Sequence, residues 1–221
     1  MVPRSPSRPR RATLVATTLC ASVFALEGCR PKDELIGAPF SDTFDRTELG
    51  SPWLDTGGGY RIREGKLVAA GAHNHPLWLR KRLPHAVTLE LDVSSASPAG
   101  DIKVELFGDG ESFDPDRGAY SSTGYVLIFG GWNNSLSVLC RNDEHGDGRK
   151  AERADRRVEL GRTYHFTITR KAGHIDWQID GQPFLAWTDP QPLDGKGHEY
   201  FAVDDWESEV SFDNLSIKPA P

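Results

Sequence analysis

Three histidines stand where they could take part in acid–base or metal chemistry. His73 and His75 are separated by one residue, so both imidazoles would lie on one side of an extended segment. His145 ends the run Asp143-Glu144-His145 and could approach them from another loop. Two imidazoles and a carboxylate can hold a transition metal, and a histidine can act as a general base in a lyase-like site. The histidines are therefore candidate catalytic residues or metal ligands, although their spacing matches no established motif.

A second candidate site centres on Trp132, in the Gly-rich turn Gly130-Gly-Trp-Asn-Asn134. The turn follows an apolar run and also carries the amides of Asn133 and Asn134. A flat apolar ring beside a few polar groups is typical of a sugar-binding surface. The three side chains are candidate ligand contacts, and the alternative is a tryptophan that only covers the end of the fold.

Three charged residues alternate along the chain around Ile102. Asp101, Lys103 and Glu105 occupy every second position, so on a strand they would project from one face and could line a groove. We take them as further candidate ligand contacts. The alternative is an ordinary exposed strand, on which opposite charges two positions apart are common.

The N-terminus has the order of a bacterial secretory signal. Four arginines precede a mostly apolar run from Ala12 to Ala25, which is shorter than the roughly 20 residues that cross a bilayer. Leu26-Glu-Gly-Cys29 follows and resembles the lipobox, in which the cysteine of the mature protein carries palmitate-type acyl chains. We predict a lipoprotein signal peptide at residues 1–28 and a lipidated tether at residues 29–39. The alternative is a plain signal peptide with an unrelated cysteine.

Lipid on Cys29 would hold the protein at a membrane of the cell envelope. Arg30 follows the cysteine, and it is not the aspartate that retains enteric-type lipoproteins at the inner membrane, so we expect the outer membrane. Cys20 would leave with the signal peptide, and Cys140 would then be the one cysteine of the folded part. Because Cys140 lies in an alternating apolar run, we predict that it is buried in the core.

The chain is acidic, with 26 Lys and Arg against 32 Asp and Glu and a net charge of −6. Loss of residues 1–28 would remove four Arg and one Glu, leaving 22 basic and 31 acidic residues and a net charge of −9. An acidic chain without a basic cluster is not expected to bind nucleic acid or to reach anionic lipid through charge. Polar neutral ligands or cations are favoured instead.

Apolar residues recur with a period of two, which predicts strands with one buried face. The alternating runs are 87–93, 102–106, 164–168 and 175–179, whereas 125–129 is apolar on both faces and should be a central strand. Segment 150–157 is the best remaining candidate for a short helix, although its charge suits a solvated loop equally well. The pattern predicts an all-β fold, an antiparallel two-sheet β-sandwich that begins near Phe40.

Turn residues separate these runs. Glu64-Gly65, Lys171-Ala-Gly173 and Asp180-Gly181 can supply the positive φ that tight hairpins require. The apolar residues Val210 and Phe212 stand at even-numbered positions, whereas Leu215 and Ile217 stand at odd-numbered ones. This change of phase within one strand predicts a β-bulge at Asp213-Asn214.

Four segments resemble the concanavalin A-like lectin/glucanase superfamily. They are Phe40-Ser-Asp-Thr-Phe-Asp45, Leu49-Gly-Ser-Pro-Trp53, Tyr60-Arg-Ile-Arg-Glu-Gly-Lys-Leu67 and Val210-Ser-Phe-Asp-Asn-Leu-Ser-Ile217. The resemblance spans most of residues 40–218 and implies a jelly-roll sandwich whose first and last strands pair. It also suggests a structural calcium ion, for which Asp42 and Asp213 are the candidate ligands.

Glucanases of that superfamily carry Glu-x-Asp-x-x-Glu or a form one residue shorter, because a retaining mechanism needs two carboxyl groups close together. The nearest stretch here is Glu90-Leu-Asp-Val-Ser-Ser95, where serines replace the second glutamate. Glu90 and Asp92 are therefore expected to be solvated acids on a strand face.

Together, these features favour a cell-envelope lipoprotein whose lectin-like sandwich binds a polysaccharide or glycan. A glycoside hydrolase or polysaccharide lyase of the same fold is the first alternative. A structural envelope protein without a small ligand is the second.

Overall fold

The alternating segments form two antiparallel sheets in a computed structural model, which describes Met1, residues 33–113 and residues 122–221. The strands of the described residues are β1 Phe40–Asp42, β2 Trp53–Asp55, β3 Arg61–Arg63, β4 Lys66–Ala70, β5 Leu77–Leu79, β6 Val87–Ser95, β7 Ile102–Gly108, β8 Tyr125–Gly130, β9 Leu136–Arg141, β10 Arg149–Arg153, β11 Tyr164–Lys171, β12 His174–Ile179, β13 Gln182–Thr188, β14 Tyr200–Asp204 and β15 Glu209–Pro219.

One sheet has the strand order β13-β12-β11-β6-β15-β4-β3, with β1 added beside β15. The other has the order β10-β9-β8-β7-β14-β5-β2. Outside the strands, the described residues include one short helical turn at Gly131–Asn134 and a 3-10 turn at Gly146–Gly148. The predicted all-β two-sheet sandwich is therefore confirmed.

One large apolar core lies between the sheets because each alternating strand turns one side chain in two inward. Leu89 and Leu91 of β6 reach it from the eight-stranded sheet, and Val104 of β7 and Leu127 of β8 reach it from the other. A second, smaller cluster consists of Val126, Ile128, Val138 and Cys140. On β8 and β9 these residues alternate with the core residues Leu127 and Leu139. They therefore lie on the outer face of the seven-stranded sheet.

The hairpin and bulge predictions are confirmed. Glu64-Gly65 joins β3 to β4, Ala172-Gly173 joins β11 to β12, and Asp180-Gly181 joins β12 to β13, each with positive φ. The register of β15 against β6 shifts between Asp213 and Ser216, where Asn214 has φ 49°. β8 is a central strand between β7 and β9, as expected. The first strand pairs with the last, Phe40 opposite Ile217.

Segment 150–157, which was expected to be a short helix or a solvated loop, begins as a β-strand. Residues Arg149–Arg153 form the edge strand β10, and Ala151 lies opposite Leu139 of β9. Its charged residues suit an edge strand because charge discourages further strand pairing. Periodicity alone could not reveal this strand, because most of its residues are polar.

Contacts with the sandwich begin before Phe40. Asp33 accepts two hydrogen bonds from the guanidinium of Arg80 at 2.8 and 2.9 Å, and Leu35 forms a parallel bridge with Arg82. The following side chain, Ile36, is buried. The expected signal peptide and Cys29 lie outside the described residues, and none of the described helices is long and apolar enough to cross a membrane.

Candidate ligand-binding site

The outer face of the seven-stranded sheet carries a row of side chains set by strand register. Asp204 of β14 lies opposite Lys103 of β7, Lys103 opposite Ile128 of β8, and Ile128 opposite Val138 of β9. All four residues are buried. An apolar half of this face therefore adjoins a half that contains a buried lysine and a buried aspartic acid.

Lys103 is 1% exposed, and its charge is balanced by acids. Its Nζ lies 2.8 Å from Glu144 Oε2 and donates a hydrogen bond to Asn74 Oδ1. Burial alone would lower the pKa of Lys103, but attraction from Glu144, Asp101 and Asp204 outweighs burial and raises it. Lys103 is a permanent cation at neutral pH, and it ties β7 to the loops before β5 and before β10.

The loop before β5 and the loop between β14 and β15 are hydrogen-bonded to each other beside Lys103. The backbone N–H of Trp206 donates to Asp101 Oδ2 at 2.6 Å, and the N–H of His73 donates to Trp206 O at 2.9 Å. Asp205 Oδ1 accepts from the N–H of Ala72 at 3.0 Å. Burial raises the pKa of Asp205 to about 6 and that of Asp204 well above its usual value. The loop that presents Trp206 is therefore fixed by backbone contacts.

The turn after β8 presents Trp132 in an unusual backbone conformation. Trp132, Asn133 and Asn134 have φ of 51°, 57° and 59°, a left-handed turn that begins at Gly130. Left-handed residues in series cost conformational energy, and such strain is concentrated at functional sites. A Cβ on Gly130 would stand 2.6 Å from Asn134 Oδ1, so glycine is required at this position.

These elements enclose a pocket of about 690 Å³ over the polar end of the sheet face. Trp132 and Trp206 both line it, with 36% and 45% of their surface exposed, whereas the other four tryptophans are less exposed. The pocket is lined by Asn74, Ala99, Asp101, Lys103, Ile128, Trp132, Asn133, Asp143, Glu144, His145, Trp206, Glu207 and Ser208. The hydroxyl of Ser208 is buried and has no hydrogen-bond partner among the described residues.

Each exposed tryptophan is supported by other side chains. The ring of His145 meets Trp132 edge-on with centroids 5.9 Å apart, and the guanidinium of Arg149 lies 4.2 Å from the centre of the Trp132 ring. His73 meets Trp206 in the same edge-on way at 5.1 Å. The two indole rings are therefore held at the pocket wall, and their exposed surface is available to a ligand.

Of the predicted ligand contacts, Asp101, Lys103, Trp132 and Asn133 come together in this pocket. Asn134 does not line it: the Asn134 side chain accepts from Val158 N and donates to Val158 O, both at 2.7 Å, and so anchors the turn from behind.

Glu105 also lies outside the pocket lining and is fully buried. Its Oε1 accepts a hydrogen bond from the N–H of Thr123 at 3.0 Å. The expected polar strand face is therefore largely buried, because neighbouring strands and loops cover β7 on both sides.

The predicted histidine cluster is not assembled. His73 and Asn74 have φ of 52° and 61°, so the segment is not extended and the two imidazoles diverge. His75 Nδ1 lies 3.0 Å from Thr56 O, and its ring stacks on Phe113. Of these three histidines, His145 lines the pocket and His73 and His75 do not.

Among the described residues, no three His, Cys, Asp or Glu side chains are grouped so as to hold a metal ion. Asp42 instead accepts from Trp53 Nε1 at 2.9 Å and from Arg46 Nη2 at 2.8 Å. Burial tends to raise the pKa of Asp42, but these hydrogen bonds outweigh burial and lower it. Asp42 lies opposite Leu215, not opposite Asp213, whose carboxylate accepts from the following Asn214 N–H at 2.8 Å. Asp42 and Asp213, the expected calcium ligands, therefore both accept hydrogen bonds from protein groups.

Glu90 and Asp92 lie on the outer face of β6, in the other sheet. Asp92 Oδ1 is 2.8 Å from His165 Nδ1, and Glu90 Oε2 is 3.1 Å from Lys218 Nζ. Both side chains are partly exposed. They take no part in the pocket.

Trp206, Glu207 and Ser208 were not singled out from the sequence. The signal was present in Asp204-Asp205-Trp206-Glu207, where a tryptophan among acids directly follows an apolar strand. Such a tryptophan lies outside the alternating apolar residues of the strands, and so does Trp132.

No protein-family model matches the sequence, and no curated protein matches it. Solved structures match the fold. The carbohydrate-binding module CBM66 from Bacillus subtilis gives a TM-score of 0.60 at 12% identity, over 77% of this chain and 98% of that one. The exoplasmic/lumenal domain of VIP36, in a form bound to Ca²⁺ and Man3GlcNAc, gives 0.59 at 9% identity, over 77% and 84%.

A prokaryotic β-1,3-1,4-glucanase (lichenase) derived from a mouse hindgut metagenome gives a TM-score of 0.56 at 13% identity, over 83% of this chain and 100% of that one. Identities this low show the fold alone. The chain therefore shares the two-sheet jelly-roll sandwich fold of these solved structures.

Proposed function

We propose that the protein binds carbohydrate in the pocket between Trp132 and Trp206. The observation that carries the proposal is that these two exposed indole rings line the same pocket. Indole rings stack on the apolar faces of sugar rings, while nearby polar groups fix the hydroxyls. Asn133 and Ser208 supply an amide and a hydroxyl in the same lining. The fold neighbours include a carbohydrate-binding module and a glycan-bound domain, which supports this ligand class.

A glycan array with the purified protein tests the proposal. We expect binding to one group of glycans, weakened about thirtyfold or more by Trp132→Ala or Trp206→Ala, because truncating an aromatic anchor at a binding site costs about 2 kcal/mol or more. Leu160→Ala is the matched control, since Leu160 is 64% exposed and lies outside the pocket lining. No binding to any glycan, or an equal loss of binding in all three variants, would contradict the proposal.

A polysaccharide hydrolase is the second candidate, favoured by the four carboxylates that line the same pocket. Glycoside cleavage uses a pair of carboxyl groups that flank the scissile bond. A reducing-end assay on each glycan that binds separates the two candidates. Release of new reducing ends that Glu144→Gln abolishes would make the protein an enzyme, and binding without product would make it a lectin-like module.

We further propose that lipid on Cys29 anchors this module to a membrane of the cell envelope, the outer membrane being the expected one. The basic-then-apolar order of the first 28 residues and the lipobox-like Leu26-Glu-Gly-Cys29 support this location. Mass spectrometry of the mature N-terminus should find an acylated cysteine, and Cys29→Ser should release the protein from membranes. An unmodified Cys29 would contradict the anchor.

Running the glycan array with calcium and with a chelator tests whether calcium is a further partner.

A further inference from the structure

The pocket between Trp132 and Trp206 has a charge that its ligand must accommodate. Its lining contains four carboxylates, Asp101, Asp143, Glu144 and Glu207, and one permanent cation, Lys103. These five side chains together carry a net charge of −3.

Lys103 cannot offset a ligand's negative charge, because it is already committed within the protein. Its ammonium forms an ion pair with Glu144 at 2.8 Å and a hydrogen bond with Asn74. The carboxylates of Asp101, Asp143 and Glu207 therefore remain as the excess charge at the pocket. An anionic saccharide such as a uronate would meet this excess charge and be repelled.

A buried polar group gives a second indication of what the ligand carries. Ser208 is 1% exposed and lines the pocket, and its Oγ has no hydrogen-bond partner among the described residues. A buried hydroxyl without a partner costs free energy, which a donor on the ligand would recover. The exposed indole of Trp206 adds a surface that attracts cations.

On the basis of the proposed carbohydrate binding, we propose that the saccharide recognised by this pocket carries a free amine, as in a 2-amino-2-deoxyhexose. The protonated amine places a positive charge among Asp101, Asp143 and Glu207 and donates a hydrogen bond to Ser208 Oγ. The sugar ring stacks on the tryptophans. N-acetylation removes the charge while keeping the sugar, so the two forms of one saccharide isolate the contribution of the amine.

The test compares three trisaccharides by titration calorimetry: β-1,4-linked glucosamine, its fully N-acetylated form and a uronate trisaccharide. We expect the amine form to bind about tenfold more tightly than the acetylated form at low salt and the uronate to bind least. The advantage of the amine form should shrink as salt is added, because charge attraction is screened.

Two neutralising variants locate the charge effect. Asp143→Asn and Glu207→Gln change exposed side chains and keep their shape, and each should weaken binding of the amine form about two- to fivefold. Neither should change binding of the acetylated form. Glu48→Gln removes an exposed charge outside the pocket lining and is the control for net charge, with no change expected for either form.

The outcomes separate this inference from the proposed function. Equal or tighter binding of the acetylated or uronate form, or array binding confined to glycans without an amine, overturns the inference and leaves carbohydrate binding intact. An unchanged affinity of the amine form in both neutralising variants also overturns it. Absence of binding to every glycan overturns both proposals.

Discussion

The imidazole of His73 meets the indole of Trp206 edge-on, with ring centroids 5.1 Å apart and planes at 88°. The backbone N–H of His73 also donates to the carbonyl oxygen of Trp206 at 2.9 Å. His73 therefore supports a ring of the pocket wall, and the contact with Trp206 needs an aromatic edge but no titratable proton. An edge-on aromatic pair contributes about 0.5–1.5 kcal/mol.

We expect His73→Ala to weaken glycan binding about two- to tenfold, and His73→Phe to keep most of the affinity, because phenylalanine preserves the aromatic contact with Trp206. Titration of both variants with a glycan that binds the native protein measures the effect. If His73 were a general base, the phenylalanine variant would be as defective as the alanine variant in any turnover assay.

Lys103 is the buried cation on which the polar half of the sheet face depends. Lys103→Met would leave Glu144 without the cation with which it forms an ion pair, and breaking a buried ion pair costs about 3–5 kcal/mol. We expect a loss of that size in the free energy of unfolding, measured by urea denaturation. Adding Glu144→Gln to Lys103→Met should restore part of the stability.

The matched control for Lys103 is Lys218→Met, since Lys218 forms an ion pair with Glu90 in which both side chains are about a third or more exposed. Such a surface pair contributes at most about 1 kcal/mol. Similar losses in the two lysine variants would show that burial does not strengthen the Lys103 pair.

Glu105 should make the stability of the fold depend on pH. Burial raises the pKa of Glu105 from an ordinary value of 4.5 to about 8, although hydrogen bonds from Thr123 and Gly124 oppose the rise. Between these two values the folded protein keeps a proton that the unfolded chain has released, so stability falls as pH rises from about 4.5 to about 8.

In Glu105→Gln this contribution should vanish. The difference in unfolding free energy between the native protein and the variant should therefore change by about 1.4 kcal/mol per pH unit across that window and be constant below it. Denaturant titrations at pH 4, 5, 6, 7 and 8 provide the measurement. Parallel pH profiles for the two proteins would show that Glu105 titrates in its ordinary range.

The strands could be predicted from the sequence, but the assembled pocket could not. Period-two patterns locate β6, β7 and β11 because each has one apolar face, and positive-φ residues locate the hairpins. The burial of Lys103 has no such signal, since it depends on Glu144 and Asn74 arriving from loops distant in sequence. The left-handed turn at His73-Asn74 likewise separates imidazoles that an extended chain would bring together.

Asp42 provides a final test of whether a terminal-strand acid is a cation ligand or a structural partner. Its carboxylate is held by Arg46, Trp53 and the N–H of Phe44 at 2.9 Å, so both oxygens already have donors. Hydrogen bonds to a charged group contribute about 1.5–3 kcal/mol. We therefore expect Asp42→Asn to lower the free energy of unfolding by roughly that amount, measured by denaturant titration, to the same extent with calcium or with a chelator. A calcium-dependent rise in the stability of the native protein that Asp42→Asn abolishes would instead make Asp42 a calcium ligand.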